Sequence, residues 1–137
     1  MNNFTLVVLA AEKSFYDGDC VSLVIPTVNG QYGIQAMHNN TIIAIVPGTM
    51  KITTSEGEEI IAAVSEGIAK VEDNDVLLLV DTVELPEEID ENRAKRSAEQ
   101  AKEALLQKKS IQNYHAAEAQ MARAISRLHV KGKSINL

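Results

Sequence analysis

Across residues 89–130 apolar side chains recur at helical spacing over a length matched nowhere else in the chain. Ala94, Ala98, Ala101 and Leu105 step by four, three and four residues, and Tyr114, Ala117, Met121, Ile125 and Leu128 repeat the pattern further on. The spacing predicts two amphipathic helices. Lys108-Lys109-Ser110 interrupts the pattern between them, and a serine before Ile111 suits an N-cap, so the short link favours an antiparallel hairpin. Facing residues then pair in descending register, Ala94 with Ile125, Ala98 with Met121 and Leu105 with Tyr114, small against large.

The same register brings the chain's four arginines to matching levels near the open end of the hairpin, Arg93 beside Arg127 and Arg96 beside Arg123. Four crowded guanidiniums repel one another unless an anion lies among them, and the planar fork of arginine suits phosphate. Solvated charge on two helix surfaces accounts for the same spacing. The face each arginine occupies decides between the readings, and spacing does not give the face.

A length of 137 residues suits one sizeable domain or a small domain with an appendage. Charge divides the chain in the same place as periodicity. Residues 1–85 carry three lysines against twelve acids, whereas residues 86–137 carry ten basic residues against seven acids. The acidic part is thereby a poor partner for nucleic acid, and the basic tail suits an acidic protein surface or a phosphate ligand, or serves solubility alone. The single cysteine, Cys20, excludes an internal disulfide, and its setting in Cys-Val-Ser-Leu-Val-Ile reads as a strand with a buried thiol. No signal-peptide pattern opens the chain and its apolar runs are far shorter than a bilayer span, so a soluble intracellular protein without direct membrane insertion is expected.

Residues 4–85 read as short strands. The stretches 4–9, 20–25, 41–46, 50–54, 59–64, 68–71 and 76–81 are rich in Val, Ile and Thr. Asp17-Gly18, Asn29-Gly30, Pro47-Gly48, Glu56-Gly57 and Asp73-Asn74 punctuate them. Their even spacing predicts an antiparallel β-sandwich or barrel. Residues 42–46 are apolar on both faces and call for double cover, from within the sandwich or from another protein. The expected fold is therefore α+β: a β-sandwich domain over residues 1–85 and a C-terminal antiparallel two-helix hairpin over residues 86–137.

Gly30-Gln31-Tyr32-Gly33 is a GxxG, which by itself means tight turns. His38 has no second ligand at metal spacing, no nucleophile has a base nearby in sequence, and no phosphate-cradling loop is present. Neither a catalytic residue nor a metal site is expected. Pro86 closes the β region. Glu87, Glu88, Asp90 and Glu91 follow at the start of the first helix, where acids complement the dipole and Asp90 suits the N-cap.

Two stretches carry a resemblance. Pro26-Thr27-Val28-Asn29-Gly30-Gln31-Tyr32-Gly33-Ile34, with His38 and Pro47-Gly48-Thr49-Met50-Lys51-Ile52, resembles the sandwich signature of the epsilon subunit of the bacterial F-type ATP synthase. The tail, from Ile89-Asp90 with Arg93-Ala94 through Tyr114 to Arg123-Ala124-Ile125-Ser126-Arg127-Leu128, is similar to that family's two C-terminal helices. Where the family has Pro-Gly before His38, this chain has Ala36-Met37, and Asn39-Asn40 follow.

The resemblance implies a non-catalytic rotor-stalk subunit on the cytoplasmic face of the bacterial membrane, held there peripherally. It couples the gamma subunit to the c-ring in proton-driven ATP synthesis, with Gln31 and His38 as candidate subunit contacts. It also implies a hairpin that either folds on the sandwich or extends along gamma toward the alpha/beta catalytic subunits and inhibits ATP hydrolysis. Lys108, Lys109, Arg123, Arg127, Lys131 and Lys133 then meet an acidic catalytic loop. Some members bind ATP, with or without Mg, as a regulatory ligand through an I-D-x-x-R-A pattern. Carried over by position, Ile89, Asp90, Arg93 and Ala94 supply that pattern, Arg123 and Arg127 the phosphate contacts, and Glu84 an acid near the adenine. Gln100 stands where some binding members have a further base, which implies low affinity. A stand-alone ATP sensor with an unrelated protein target is the alternative, separable by co-purification with gamma. A small hydrolase on a β scaffold is a third reading, opposed by the missing nucleophile and base.

Overall fold

The computed structural model describes residues 2–107 and 111–135. Nine strands come first: β1 (Phe4–Ala10), β2 (Ser14–Thr27), β3 (Gly30–Gln35), β4 (Thr41–Ile45), β5 (Gly48–Thr54), β6 (Glu59–Val64), β7 (Gly67–Glu72), β8 (Asp75–Val80) and β9 (Val83–Glu84). A 3-10 turn (Pro86–Glu88) leads into α1 (Glu91–Gln107) and α2 (Ile111–Ile135). The strands run in the order β4-β7-β8-β1-β2-β5-β6-β9, with β3 beside β2. All neighbours are antiparallel except β1 and β8, which run parallel from Thr5 opposite Asp75 to Ala10 opposite Val80.

The long β2 joins the two layers. Its first half pairs with β1, its second half with β3 and β5, and the register shifts between Cys20 and Ser22 as it passes over. Alternate residues of both layers, among them Phe4, Leu6, Leu23, Ile25, Ile34, Met50, Ile52 and Leu78, fill one core and are at most 2% exposed. Cys20 lies in that core, fully enclosed.

The strand expectations need two corrections. Asp17-Gly18 bounds no strand: Asp17 faces Val7 and Gly18 faces Leu6 inside β2, because pairing with β1 overrides a local turn preference. Residues 30–35 form a full strand, β3. Only Gly30 turns the chain, at φ 106°, while Gly33 lies in register with Val24. Gly48 answers a different need, since a Cβ there would stand 2.5 Å from the Pro26 ring.

α1 packs on α2, and α2 packs in turn on β5, β6 and the 3-10 turn. Ala94, Ala101, Ala117 and Ala124 are buried, so the helices meet largely through methyl groups. Gln120 Nε2 donates to the backbone O and Oγ of Ser97, both at 3.0 Å, close to the level expected for Ala98 and Met121. Ile125 departs from the expected stripe. It is 55% exposed, because α2 faces two partners and the adjacent Ala124 and Ser126 take the inward positions. The predicted cap at Ser110, the pairing of Leu105 with Tyr114, and Lys108, Lys109 and the Lys133 side chain lie outside what is described.

Candidate functional site

The turn between sandwich and hairpin is fixed by carboxylates. Glu88 Oε1 accepts from the Leu85 N–H at 3.0 Å and its Oε2 pairs with Lys13 Nζ at 3.1 Å. Both contacts hold the Glu88 carboxyl below the usual glutamate range, the backbone N–H contributing most. Two residues on, Asp90 caps α1: its Oδ1 accepts from Arg93 N and its carbonyl from Ala94 N, each at 3.0 Å. The cap fixes the phase of α1, so Asp90, Arg93, Ala94 and Ser97 share one face.

That face forms one wall of a cleft of about 370 Å³ lined by Glu84, Glu88, Asp90, Arg93, Ala94, Ser97 and Arg127. Three structural units meet there, since Glu84 comes from β9, Arg93 from α1 and Arg127 from α2. Arg127 Nε donates to Glu84 Oε1 at 2.7 Å, with about a quarter of each side chain exposed. Each carboxylate of the lining is already engaged, Glu84 by Arg127, Glu88 by Leu85 and Lys13, Asp90 by the helix N-terminus. The Arg93 guanidinium pairs with no carboxylate among the described residues, and Arg127 keeps its terminal nitrogens. The cleft is therefore equipped to take an anion between the two helices.

Of the residues expected at a nucleotide site, Glu84, Asp90, Arg93, Ala94 and Arg127 come together in this cleft. Ile89 and Arg123 do not line it. Ile89 is 5% exposed in a small cluster with Ala63 and Val130, and Arg123 donates to Glu66 Oε1 at 2.7 Å. The expectation of four mutually repelling guanidiniums is also corrected. Glu66 and Glu84 of the sandwich neutralise Arg123 and Arg127, and Arg96 stands exposed on α1 outside the cleft. Ser97 and Glu66 were not singled out from the sequence, and Glu88, read there as an acid at the start of the first helix, lies instead in the 3-10 turn before α1. Ser97 was within reach of helical spacing, one turn after Arg93, whereas Glu66 is paired across 57 residues and leaves no local signal.

The candidate subunit contacts lie elsewhere. Gln31 is exposed on β3, on the face opposite Tyr32. His38 stands 2.8 Å by Nε2 from the Tyr32 hydroxyl and 2.8 Å by Nδ1 from the Asn39 carbonyl. A carbonyl only accepts, so Nδ1 carries a proton, and in the neutral ring Tyr32 is then the donor to Nε2. Met37, the residue of this chain at the position where the resemblance has glycine, adopts φ 63° and is held there by a 2.7 Å hydrogen bond from its N–H to Asn74 Oδ1. Across the outer face of the β4-β7-β8-β1 layer, Ala44, Ile68, Leu79 and Leu9 fall in one row, and Ile42 is 69% exposed beside it. Ile42 and Ala44 are thus exposed on that side, whereas Ile45, on the other face, is buried in the core. Among the described residues no His/Cys/Asp/Glu group suits a metal ion, and no helix is long and apolar enough to cross a membrane.

Residues 3–86 match the family described as ATP synthase, Delta/Epsilon chain, beta-sandwich domain, and residues 87–132 match its long alpha-helix domain. The ATP synthase epsilon chain of Ruminiclostridium cellulolyticum is 38% identical over 128 residues, covering 93% of this chain and 95% of the relative. That of Ruminococcus albus is 40% identical over 131 residues, with 95% and 97% covered. A chain in the Euglena gracilis mitochondrial ATP synthase (OSCP/F1/c-ring) superposes with a TM-score of 0.79 at 19% identity, over 98% of this chain and 82% of that one. One in the central stalk/c-ring of the Tetrahymena thermophila enzyme gives 0.65 at 15% identity, over 93% and 95%. At these identities the two structures speak to the fold.

Proposed function

Because this chain belongs to the ATP synthase delta/epsilon family, as an epsilon subunit, we propose that it is a central-stalk rotor subunit whose hairpin regulates hydrolysis in response to ATP. The observation that carries the reading is the cleft, which recruits β9, α1 and α2 at once. A ligand bound there stabilises only the arrangement in which all three are assembled. Arg93 and the terminal nitrogens of Arg127 take the phosphates, and Ser97 and Ala94 form the helix wall beside them. At a hundred times its dissociation constant, ATP would favour the folded hairpin by about 2.7 kcal/mol.

The hairpin is poised for such control because α1 is held to the rest of the chain through α2. The α1–α2 seam is mostly alanine, and α2 meets the sandwich through Val130 and two ion pairs. Release exposes little apolar surface, at about 0.8 kcal/mol per methylene. The freed helices then extend along gamma toward the catalytic alpha/beta subunits, with Arg123, Arg127 and Lys131 facing acidic residues. The uncovered β4-β7-β8-β1 face with Ile42, Ile68 and Leu79 takes gamma, and the end bearing Gln31 and His38 rests on the c-ring, without chemistry of its own. The subunit thus sits peripherally at the cytoplasmic face of the membrane.

Arg127→Ala tests the regulatory reading. Loss of a charged contact of about 1.5–3 kcal/mol weakens ATP binding at least tenfold and increases inhibition in the assembled enzyme. Unchanged ATP affinity would overturn the role of Arg127.

A further inference from the structure

The underside of α2 meets the sandwich edge mainly through polar groups. Arg123 donates to Glu66 Oε1 and, one turn later, Arg127 to Glu84 Oε1, each at 2.7 Å, while Lys131 Nζ reaches the Pro86 carbonyl at 3.3 Å. Between the two arginines Ser126 is 6% exposed, and its Oγ is the one buried side-chain polar atom among the described residues without a hydrogen-bond partner. A helical serine commonly bonds back to its own helix, yet Ser126 Oγ engages no such carbonyl. It borders a cavity of about 10 Å³ lined also by Ser65, Thr82, Glu84, Arg123 and Arg127. Ser65 Oγ, on the same lining, accepts from Thr82 N at 2.8 Å.

We propose that Ser126 is a release element built into the docking face of α2, setting how readily the hairpin leaves the sandwich. A hydroxyl enclosed without a partner raises the free energy of the docked state alone, because undocking returns it to water. The flanking ion pairs act in the opposite sense. The docked and released states are thereby held close enough for a ligand to decide between them. This inference rests on the reading of the hairpin as a switch and not on the identity of the nucleotide.

The test is hydrogen exchange of the α2 amides in the full chain without ligand, comparing Ser126→Ala with the unaltered protein. Exchange in α2 slows about tenfold in the variant, as removal of a buried unpaired hydroxyl predicts. Glu66→Gln, which weakens the neighbouring ion pair, moves it the other way. Ala122→Ser, at an exposed position of the same helix, measures the contribution of helix propensity, and its effect is several-fold smaller. Unchanged or faster exchange in Ser126→Ala, or slowing no greater than propensity supplies, overturns the proposal. ATP titration separates the two readings. If Ser126→Ala slows exchange and also tightens apparent ATP affinity, both stand. If exchange slows while ATP affinity is unmoved, the release element stands and the nucleotide reading of the cleft fails.

Discussion

Val130→Ala removes two methyl groups from the apolar contact that joins α2 to the sandwich. Val130 is fully enclosed and packs with Ala63 and Ile89, with Ile61 at the edge. At about 0.8 kcal/mol per methylene-sized group the transfer loss is about 1.6 kcal/mol, and a partly relaxed cavity brings the total to about 2 kcal/mol. That corresponds to about a 30-fold change in the ratio of docked to released hairpin. Val130 lies outside the sandwich core, which is built from Phe4, Leu6, Leu23 and their neighbours, so the cost falls on docking alone. Hydrogen exchange read by peptide resolves this: amides of α2 exchange about 30-fold faster while those of β8 keep their protection. Equal loss of protection in β8 would refute the separability of dock and core. Unaltered α2 exchange would refute a dock that depends on this cluster.

Three further outcomes follow. Met37→Gly relieves a left-handed backbone strain of about 1–2 kcal/mol against a smaller cost from the added conformational entropy of the unfolded chain, so chemical denaturation should show a gain of about 0.5–1 kcal/mol; a loss would mean that the Met37 side chain itself stabilises the loop. Burial, with the Asp19 carboxylate second, pushes the Cys20 thiol up to about 12, so thiol reagents at pH 8 should label it only at the rate of unfolding; rapid stoichiometric labelling in native buffer would contradict its enclosure. Glu88 has its folded-state pKa lowered by the Leu85 N–H and by Lys13, so its contribution is present above the usual glutamate range and is lost as pH falls through the folded value. Glu88→Gln should therefore flatten the acid limb of the melting-temperature curve, and superimposable limbs would count against it.

Much of this was legible in residue order because it depends on near neighbours. Turn pairs such as Asn29-Gly30 and Asp73-Asn74, the cap at Asp90 and the alanine spacing of both helices all act within a few residues. What was hidden depends on distant partners. Asp17-Gly18 became strand because β1 lies beside it, and Arg123 found Glu66 across the hinge between sandwich and hairpin. Periodicity reports that a helix has an apolar side, but α2 serves two partners, so Ile125 and Ser126 exchanged the roles that a single stripe would assign them. The cleft itself was reachable in part: helical spacing sets Asp90, Arg93 and Ala94 on one face, whereas the contribution of Glu84 rested on resemblance and Ser97 went unnoticed.

The most direct test is an isothermal titration of the full chain with ATP at low and moderate salt, alongside Arg93→Ala. Arg93 carries the one cleft guanidinium with no carboxylate partner among the described residues, so its loss leaves the Glu84–Arg127 pair and the docking of α2 in place. Saturable one-to-one binding in the unaltered chain, lost in the variant, is the expected result. A weak, salt-screened heat that is the same in both proteins would contradict an ATP-gated hairpin and leave the cleft as part of a docking surface for the other subunits.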